Sequence, residues 1–271
     1  MKETFAQSRR GIIIKSPREI ALMRQAGALV YRVLTRMREL AAPGVTTGEL
    51  SAVAEEMISA TGATALFKGV KSPQARFPFP AALCISVNDE VVHGIPGPRR
   101  LKEGDVVSLD CGVRLDGYCG DAAVTLPIGN VSTANARLLE VTSAALDLAV
   151  EEIRPGRMWS EVARKVQQFV EGHRMSVVRE FVGHGIGREM HEDPKVPNYD
   201  DRKQRRHDFR LEKGMTLAVE PMVNLGSAAV HFADADHWTV VTRDGRCAAH
   251  FEHTVAVTES AADVLTNGRM E

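Results

Sequence analysis

The apolar positions along the chain follow two periods, and each pattern occurs twice. Long amphipathic stretches at about residues 18–40 and 135–153 are each followed by a Pro-Gly pair, at 43–44 and 155–156, and then by another amphipathic segment. In the two segments that follow the Pro-Gly pairs, the apolar residues recur at i, i+4, i+7 and i+8, which is the spacing of a helix with one buried face. The pattern therefore predicts two units of helix, break and helix.

Strand-like segments also occur in pairs. Residues 101–110 and 211–220 share a leucine, two charged residues and a glycine, followed by alternating apolar positions that end on an acid. A second pair of segments starts on an acid and carries apolar residues three and five positions later. Alternation of this kind is typical of half-buried strands. The acids in these predicted strands are Asp110, Asp121, Glu220 and Glu252.

The order helix, break, helix and acid-bearing strands recurs, which indicates an internal duplication. Its two halves cover about residues 15–130 and 131–260 of a single domain that spans residues 1–271. Two similar halves packed about a pseudo-two-fold axis would bring their equivalent strands, and the four acids, to one centre. We therefore expect an α+β fold, in which helices pack on one side of an antiparallel sheet.

The pair Asp116-Gly117 lies between Asp110 and Asp121 and predicts a hairpin with a type I′ turn. If these are the two loop residues, Asp110 lies opposite Ala123. Asp110 and Asp121 then share a face as diagonal neighbours, because side chains alternate with period two. Two like charges placed together cost stability unless a cation lies between them.

The pair Asp244-Gly245 predicts a second hairpin, which leads directly into Glu252. Both acids of each half end or interrupt apolar strands, where burial of an unpaired carboxylate costs folding free energy. A metal cluster explains this placement, and pairing with buried arginines is the rival explanation.

Three histidines lie in contexts that favour a site. Glycines flank His184 on both sides, so the backbone there can approach a metal or substrate closely. His191 follows seven residues later, and His93 precedes a Gly-Ile-Pro turn. Residues 231–237, with the sequence HFADADH, offer a competing set of ligands. We interpret them as a polar loop, because no second copy and no apolar strand frames them.

Composition narrows the classes of function. With 34 Lys and Arg against 35 Asp and Glu, the net charge of -1 argues against a protein that binds duplex DNA. No apolar run is long enough for a membrane span, and the charged start lacks the apolar region of a signal peptide. Four scattered cysteines are too few for a disulfide scaffold, so we expect a reduced, cytoplasmic protein.

Four carboxylates and one imidazole form an oxygen-rich ligand set. Such ligands suit Mn²⁺, Fe²⁺, Co²⁺ or Zn²⁺, whereas a structural zinc site would use cysteines. Two such metals can activate a water and stabilise a tetrahedral intermediate, which predicts metal-assisted hydrolysis. The nearest competitor from another class is an iron oxygenase with two histidines and one carboxylate, for which four acids are too many.

In these residues the sequence closely resembles the type I methionine aminopeptidases, which have the pita-bread fold. The matching stretches lie in order over residues 84–255 and are CISVNDEVVHGIPG, VVSLDCG, YCGDAA, GHGIGREMHEDPKVPNY, GMTLAVEPMV and FEHTV. The resemblance implies removal of the initiator methionine from nascent chains, with a preference for a small second residue. It also implies that two divalent metals are held by Asp110, Asp121, His184, Glu220 and Glu252.

The resemblance assigns a role to each residue of this set and its neighbours. Asp121 and Glu252 would bridge the two metals, and Glu220 would also act as a base toward the bridging water. His191 would stabilise the tetrahedral oxyanion, and His93 would contact the scissile amide. The methionine pocket would be lined by Phe79, Cys84, Met190 and Trp238, of which Met190 stands where type I enzymes often carry an aromatic residue.

Some alternatives stay open at this point. A prolidase-type peptidase shares the fold, and a relative that has lost catalysis would only bind peptides or proteins. The basic segment 201–210 (DRKQRRHDFR) is expected to be a solvated loop, with a contact to the ribosome as the functional alternative. We expect a monomer that binds the N-termini of nascent polypeptides.

Overall fold

Four α-helices form where the amphipathic stretches predict them. The structure, a computed structural model, describes residues 11–233 and 235–269. The charged start at residues 1–10, and Asp234 of the HFADADH segment, lie outside the described residues. The helices are α1 (Pro17–Leu40), α2 (Thr47–Ser59), α3 (Thr133–Glu152) and α4 (Trp159–Gly172), with a 3-10 turn at Gln204–His207.

Short strands make up most of the rest of the fold. In chain order they are β1 (Thr64–Ala65), β2 (Cys84–Val87), β3 (Glu90–Val92), β4 (Val106–Leu115), β5 (Tyr118–Pro127), β6 (Ser176–Val177), β7 (Gly183–Gly185), β8 (Glu192–Val196), β9 (Thr216–Val219), β10 (Met222–Asn224), β11 (Val230–Phe232), β12 (Val240–Thr242), β13 (Ala248–His250), β14 (Glu252–Val257) and β15 (Ala262–Val264).

The principal sheet is antiparallel and has the order β1-β4-β5-β14-β9-β7-β8, with β2 beside β4 and β15 beside β14. The strands of the first half, β4 and β5, thus meet their counterparts β9 and β14 in the middle of the sheet. This order agrees with the predicted internal duplication. The boundaries of the two halves stay a prediction. Two three-stranded sheets, β13-β10-β6 and β11-β12-β3, complete the fold.

The β4–β5 hairpin has the predicted register. Asp110 pairs with Ala123, and the turn residues Asp116 and Gly117 have φ angles of 49° and 80°, as a type I′ turn requires. The second predicted hairpin is wrong. A turn does form at residues 243–244, but β12 pairs with β3 and β11, whereas β13 pairs with β10.

All four helices pack on one face of the principal sheet. Leu109 of β4 packs against α1 and α2, and Val255 of β14 packs against α3 and α4. Because side chains alternate along a strand, the residues next to Leu109 in β4 and next to Val255 in β14 face the opposite side of the sheet. Burial of the apolar face thus fixes which carboxylates can meet on the other face. Within the described residues, no helix combines the length and apolarity needed to cross a membrane.

Candidate metal centre and its cavity

Three of the predicted ligand residues share one face in the middle of the sheet. Asp110 and Glu252 each pair with Ala123, one from either neighbouring strand. Directly paired residues point to the same face, and Asp121 lies two residues before Ala123 on β5. The register therefore directs the Asp110, Asp121 and Glu252 side chains to the helix-free face.

The other two predicted ligands reach the same face from β7 and the end of β9. Thr254, two residues after Glu252, pairs with Ala218, and Ala218 pairs in turn with His184. Glu220 follows Ala218 by two residues. The sheet thus brings all five predicted ligands together, although they are far apart in the sequence.

The distances within this cluster suit a metal ion. One ligand atom from each of Asp121, His184 and Glu252 lies within 4.8 Å of the others. The Nε2 atom of His184 lies 3.6 Å from Oε1 of Glu220 and 4.0 Å from Oδ2 of Asp121. In the described part of the chain, no Lys or Arg lies within 4.0 Å of the four carboxylates, which removes arginine pairing as the explanation.

The protein compensates the buried carboxylates only in part. Oδ1 of Asp110, Oδ1 of Asp121 and Oε1 of Glu252 have no hydrogen-bond partner among the described residues. Burial raises the pKa of Asp121 to about 7. Burial, followed by the charge of Asp121, also raises the pKa values of Asp110, Glu220 and Glu252 well above their ordinary range. A bound cation would relieve both costs.

His184 is held in the state that a metal ligand needs. Its Nδ1 atom lies 2.9 Å from the carbonyl oxygen of Gly185, which can only accept, so Nδ1 carries the proton. Nε2 therefore turns a lone pair toward the carboxylates. Burial, with a smaller contribution from His191, lowers the pKa of His184 to about 4, so the ring is neutral at pH 7. A lone pair that faces carboxylates is repulsive until a cation separates them.

Metal binding should stabilise the protein more at pH 7.5 than at pH 5.5. An unfolded aspartate releases its proton near 3.8, while folded Asp121 keeps its proton to about 7. In the metal-free protein, Asp121 therefore contributes to the free energy of unfolding in full below pH 3.8. This contribution is lost as the pH rises from 3.8 to about 7. A divalent metal can replace these protons only at a pH at which the acids ionise, so it binds better at pH 7.5 than at pH 5.5.

Thermal unfolding with EDTA and with Mn²⁺ at both pH values measures this difference, with about 2–4 °C expected for each kcal/mol. An equal increase in melting temperature at the two pH values would contradict the assignment of the acids to a metal centre.

The cluster opens into a cavity of about 240 Å³. Its lining includes every residue predicted for the site, namely Phe79, Cys84, His93, Asp110, Asp121, His184, Met190, His191, Glu220, Trp238 and Glu252. Phe79, Cys84 and Trp238 belong to an apolar cluster that lines the same cavity, and Cys84 pairs with the predicted ligand Asp110 across β2 and β4. The roles of the individual residues stay predictions.

The apolar wall is held in place by the segment that offered the competing ligands. The rings of Trp238 and Phe79 meet edge to face at 5.4 Å, and Nε1 of Trp238 donates to the carbonyl of Phe77. The carboxylate of Asp236 accepts from the backbone amides of Trp238 and Thr239. Asp236 thus fixes the start of β12.

The prediction of a polar loop over residues 231–237 is only partly right. His231 and Phe232 belong to β11, which pairs with β12, and the turn comprises residues 235–237. Strands therefore do frame the segment, contrary to the expectation that none would. The error arose because these strands are only three residues long, too short for their alternation to be recognised.

His93 and His191 both line the cavity. His93 has a φ of 58° and its ring packs against Phe181 at 5.4 Å. Burial lowers its pKa to about 4. The ring of His191 lies 4.4 Å from that of His184, and burial lowers the pKa of His191 as well. Neutral imidazoles at these positions offer N–H donors to a substrate.

Sequence reasoning missed His250, which also lines the cavity. Its side chain is 2% exposed, and neither ring nitrogen has a hydrogen-bond partner among the described residues. Nε2 lies 3.8 Å from Glu220 and 3.9 Å from Glu252. The signal was present, because His250 precedes Glu252 by two residues and alternation favours the same face.

Comparison with known proteins decides the family. The model of metallopeptidase family M24 matches residues 21–259. The chain belongs to this family. Membership of M24 agrees with the buried cluster of Asp121, His184 and Glu252, which can hold a divalent metal. As a member of metallopeptidase family M24, this protein is a metal-dependent hydrolase of peptides.

Relatives within M24 include methionine aminopeptidases over nearly the full length. The chain is 47% identical to methionine aminopeptidase 1 of Bacillus subtilis, over 94% of this chain and 99% of the relative. It is 41% identical to methionine aminopeptidase of Aquifex aeolicus, over 94% and 98%. The solved methionine aminopeptidase of Thermotoga maritima has a TM-score of 0.88 at 41% identity, covering 94% and 99%.

Proposed function

We propose that this chain removes the N-terminal methionine from polypeptides, with a preference for a small second residue. The observation that carries the proposal is that the ligand cluster and an apolar pocket line one cavity. An aminopeptidase needs such an arrangement, because the first side chain must be seated while its peptide bond lies beside the metals. The high identity to methionine aminopeptidases supports the same substrate.

The buried acids and His184 would hold two divalent metals, which supply an acidified water and a Lewis acid for peptide hydrolysis. Asp121 and Glu252, which are each 2% exposed, would be the ligands shared by both metals. Asp110 would serve one metal, and His184 with Glu220 would serve the other. Glu220, whose pKa is raised by burial and by the charge of Asp121, would act as the base toward the water.

Two of the histidines that line the cavity, His191 and His93, would act on the peptide itself. His191 would donate a hydrogen bond to the oxygen on which negative charge develops, and His93 would contact the scissile amide. Both pKa values are lowered by burial, so neutral rings donate these bonds without adding a charge to the site. Fixed donors of this kind require little reorganisation during the reaction.

Peptide hydrolysis by the metal-free and the reloaded protein tests the proposal. Met-Ala-Ser, Leu-Ala-Ser and an Xaa-Pro peptide are compared after EDTA treatment and after addition of Mn²⁺, Co²⁺ or Fe²⁺. Metal-dependent release of methionine alone is the expected result. Cleavage of Xaa-Pro would instead place the chain with prolidases, such as that of Pyrococcus horikoshii, which shares the fold at 21% identity. No cleavage with any metal would indicate a peptide-binding relative.

Replacement of Trp238 by alanine should raise KM for Met-Ala-Ser by about 10- to 100-fold with little change in kcat. The indole lines the apolar part of the cavity and would contact the methionine side chain equally in the ground state and the transition state, so its loss removes uniform binding. Trp238→Phe keeps the ring next to Phe79 and should retain most of the affinity. A fall in kcat with unchanged KM would exclude Trp238 from the methionine pocket.

Contact with the ribosome is the proposed role of segment 201–210. Arg205 is neutralised by a bidentate contact with Asp200, at 2.6 and 2.7 Å. Lys195, Lys203 and Arg206 line a separate open cavity of about 610 Å³, and could contact RNA phosphates there. This partner agrees with a cytoplasmic monomer that meets nascent chains at their source.

Cosedimentation with ribosomes should fall steeply between ~50 and ~200 mM salt. It should also fall in the variant K203E/R206E, and should not fall in Arg36→Glu, which changes an exposed charge on α1. Equal cosedimentation of all three proteins would exclude the segment as the contact.

A further inference from the structure

A buried ion pair joins the segment before α1 to the strand that follows His191. Nζ of Lys15 lies 2.5 Å from Oε2 of Glu192, and the two side chains are only 3% and 8% exposed. The same ammonium group donates to the carbonyl of Ile13, and the backbone amide of Lys15 donates to Gly214. Lys15 is therefore fixed at both its backbone and its charged end.

The second oxygen of Glu192 closes the turn that precedes it. Oε1 accepts from the backbone amides of Arg188 and Glu189, at 2.9 and 3.2 Å. The amide of Gly187 in turn donates to the carbonyl of Glu189. We call residues 187–191 the His191 turn, since it ends on that residue. One carboxylate thus links the His191 turn to Lys15.

Gly187 shows how closely the ion pair fills this space. A Cβ at this position would lie 2.5 Å from Cε of Lys15 and 2.6 Å from Oε1 of Glu192, both well inside van der Waals contact. Any larger residue would have to displace the ion pair. The missing side chain of Gly187 thus leaves room for the ends of Lys15 and Glu192.

The His191 turn has further contacts. Cys119, which is buried, donates from its backbone amide to the carbonyl of Gly187 at 2.7 Å and from Sγ to the carbonyl of Arg188. Arg114 pairs with Glu189, whose side chain is 73% exposed, and the Arg188 guanidinium lies 4.6 Å above the Tyr118 ring. Exposed pairs are worth little, whereas loss of one partner from a buried pair leaves an uncompensated charge. Among the described ion pairs at the turn, the Lys15–Glu192 pair is therefore the one whose loss costs most.

We propose that Lys15 is a positioning residue, which acts through Glu192 to hold His191 and Met190 against the cavity. His191 is covalently next to Glu192, and its ring lies 4.4 Å from that of His184. A release of the turn would move the donor of His191 away from the substrate without altering a metal ligand. The inference rests on the proposed function, because it assigns His191 to the same reaction.

Lys15→Met should lower kcat for Met-Ala-Ser by about 10- to 100-fold, as a misplaced group typically does, with metal content and KM nearly unchanged. In a His191→Ala background the same change should cost less than about 2-fold, because the residue through which Lys15 acts is already gone. The matched control is Lys213→Met, which removes a lysine from an exposed ion pair with Glu259 and should behave as wild type.

Hydrogen exchange provides a readout that does not depend on activity. The amides of Arg188 and Glu189 should exchange faster in Lys15→Met than in wild type or Lys213→Met. If Lys15→Met does not fold, the variant K15M/E192M provides the test, because it removes both buried charges and should be stable. Its kcat should be lowered as much as expected for Lys15→Met. Unchanged exchange, or an equal fall in kcat with and without His191, overturns the proposal. A wild-type protein that cleaves no methionine peptide would instead refute the proposed function, while the exchange experiment still tests the role of the Lys15–Glu192 pair.

Discussion

Asp110→Asn should abolish metal loading and activity together. The substitution keeps the shape of the side chain but removes a carboxylate from the middle of β4, where Asp110 and Asp121 share a face. Since a bound metal supplies several kcal/mol of transition-state stabilisation, we expect kcat to fall by about 10³-fold or more. Metal content after dialysis, measured by elemental analysis, and hydrolysis of Met-Ala-Ser give the two readouts.

Asp116→Asn is the matched control for this variant. It changes an exposed aspartate in the turn of the same hairpin, and asparagine tolerates the positive φ of 49° found there. Its metal content and turnover should equal those of wild type. Normal turnover in Asp110→Asn would refute the proposed ligand cluster.

His191→Ala should retain the bound metals and lower kcat by about 10²–10³-fold, as the loss of an oxyanion donor does. The ring of His191 is near that of His184, but His191 is not among the predicted metal ligands. Activity and metal content should therefore separate in this variant, whereas they fall together in Asp110→Asn. Single-turnover kinetics with Met-Ala-Ser and elemental analysis measure the two effects.

The control for His191 is His173, at the end of α4, whose ring packs on Phe169 and is not among the residues that line the cavity. His173→Ala should leave kcat unchanged. If His191→Ala loses metal in proportion to activity, the residue supports the metal centre and is not the oxyanion donor.

Local patterns were enough to predict the helices, the β4–β5 hairpin and the shared face of its two acids. The turn type fixed the register, and the register fixed the direction of each side chain. The same Asp-Gly signal failed at residues 244–245, because a turn signal does not determine which strands pair. There β13 pairs with β10 and β12 pairs with β3, through contacts made by segments distant in sequence.

The rest of the site depends on such long-range contacts. Nothing in the sequence indicated that Lys15 would reach Glu192, since 177 residues separate them. The pocket residues Phe79 and Trp238 were predicted only from the family resemblance, because no periodic pattern connects them. His250 was overlooked although its spacing from Glu252 favoured the shared face, because a lone histidine in a short strand is more often structural.

The position of β5 and β14 side by side has a consequence for the origin of the site. Each half of the sheet contributes two acids, and Asp121 and Glu252 approach each other across the line where the halves join. A chain of half this length would carry a single pair of acids. It could assemble a four-carboxylate centre only as a symmetric pair of subunits, with the same edge strand presented by each copy. Fusion of two such copies would have freed them to diverge, so that one half now supplies His184 and the other supplies His93.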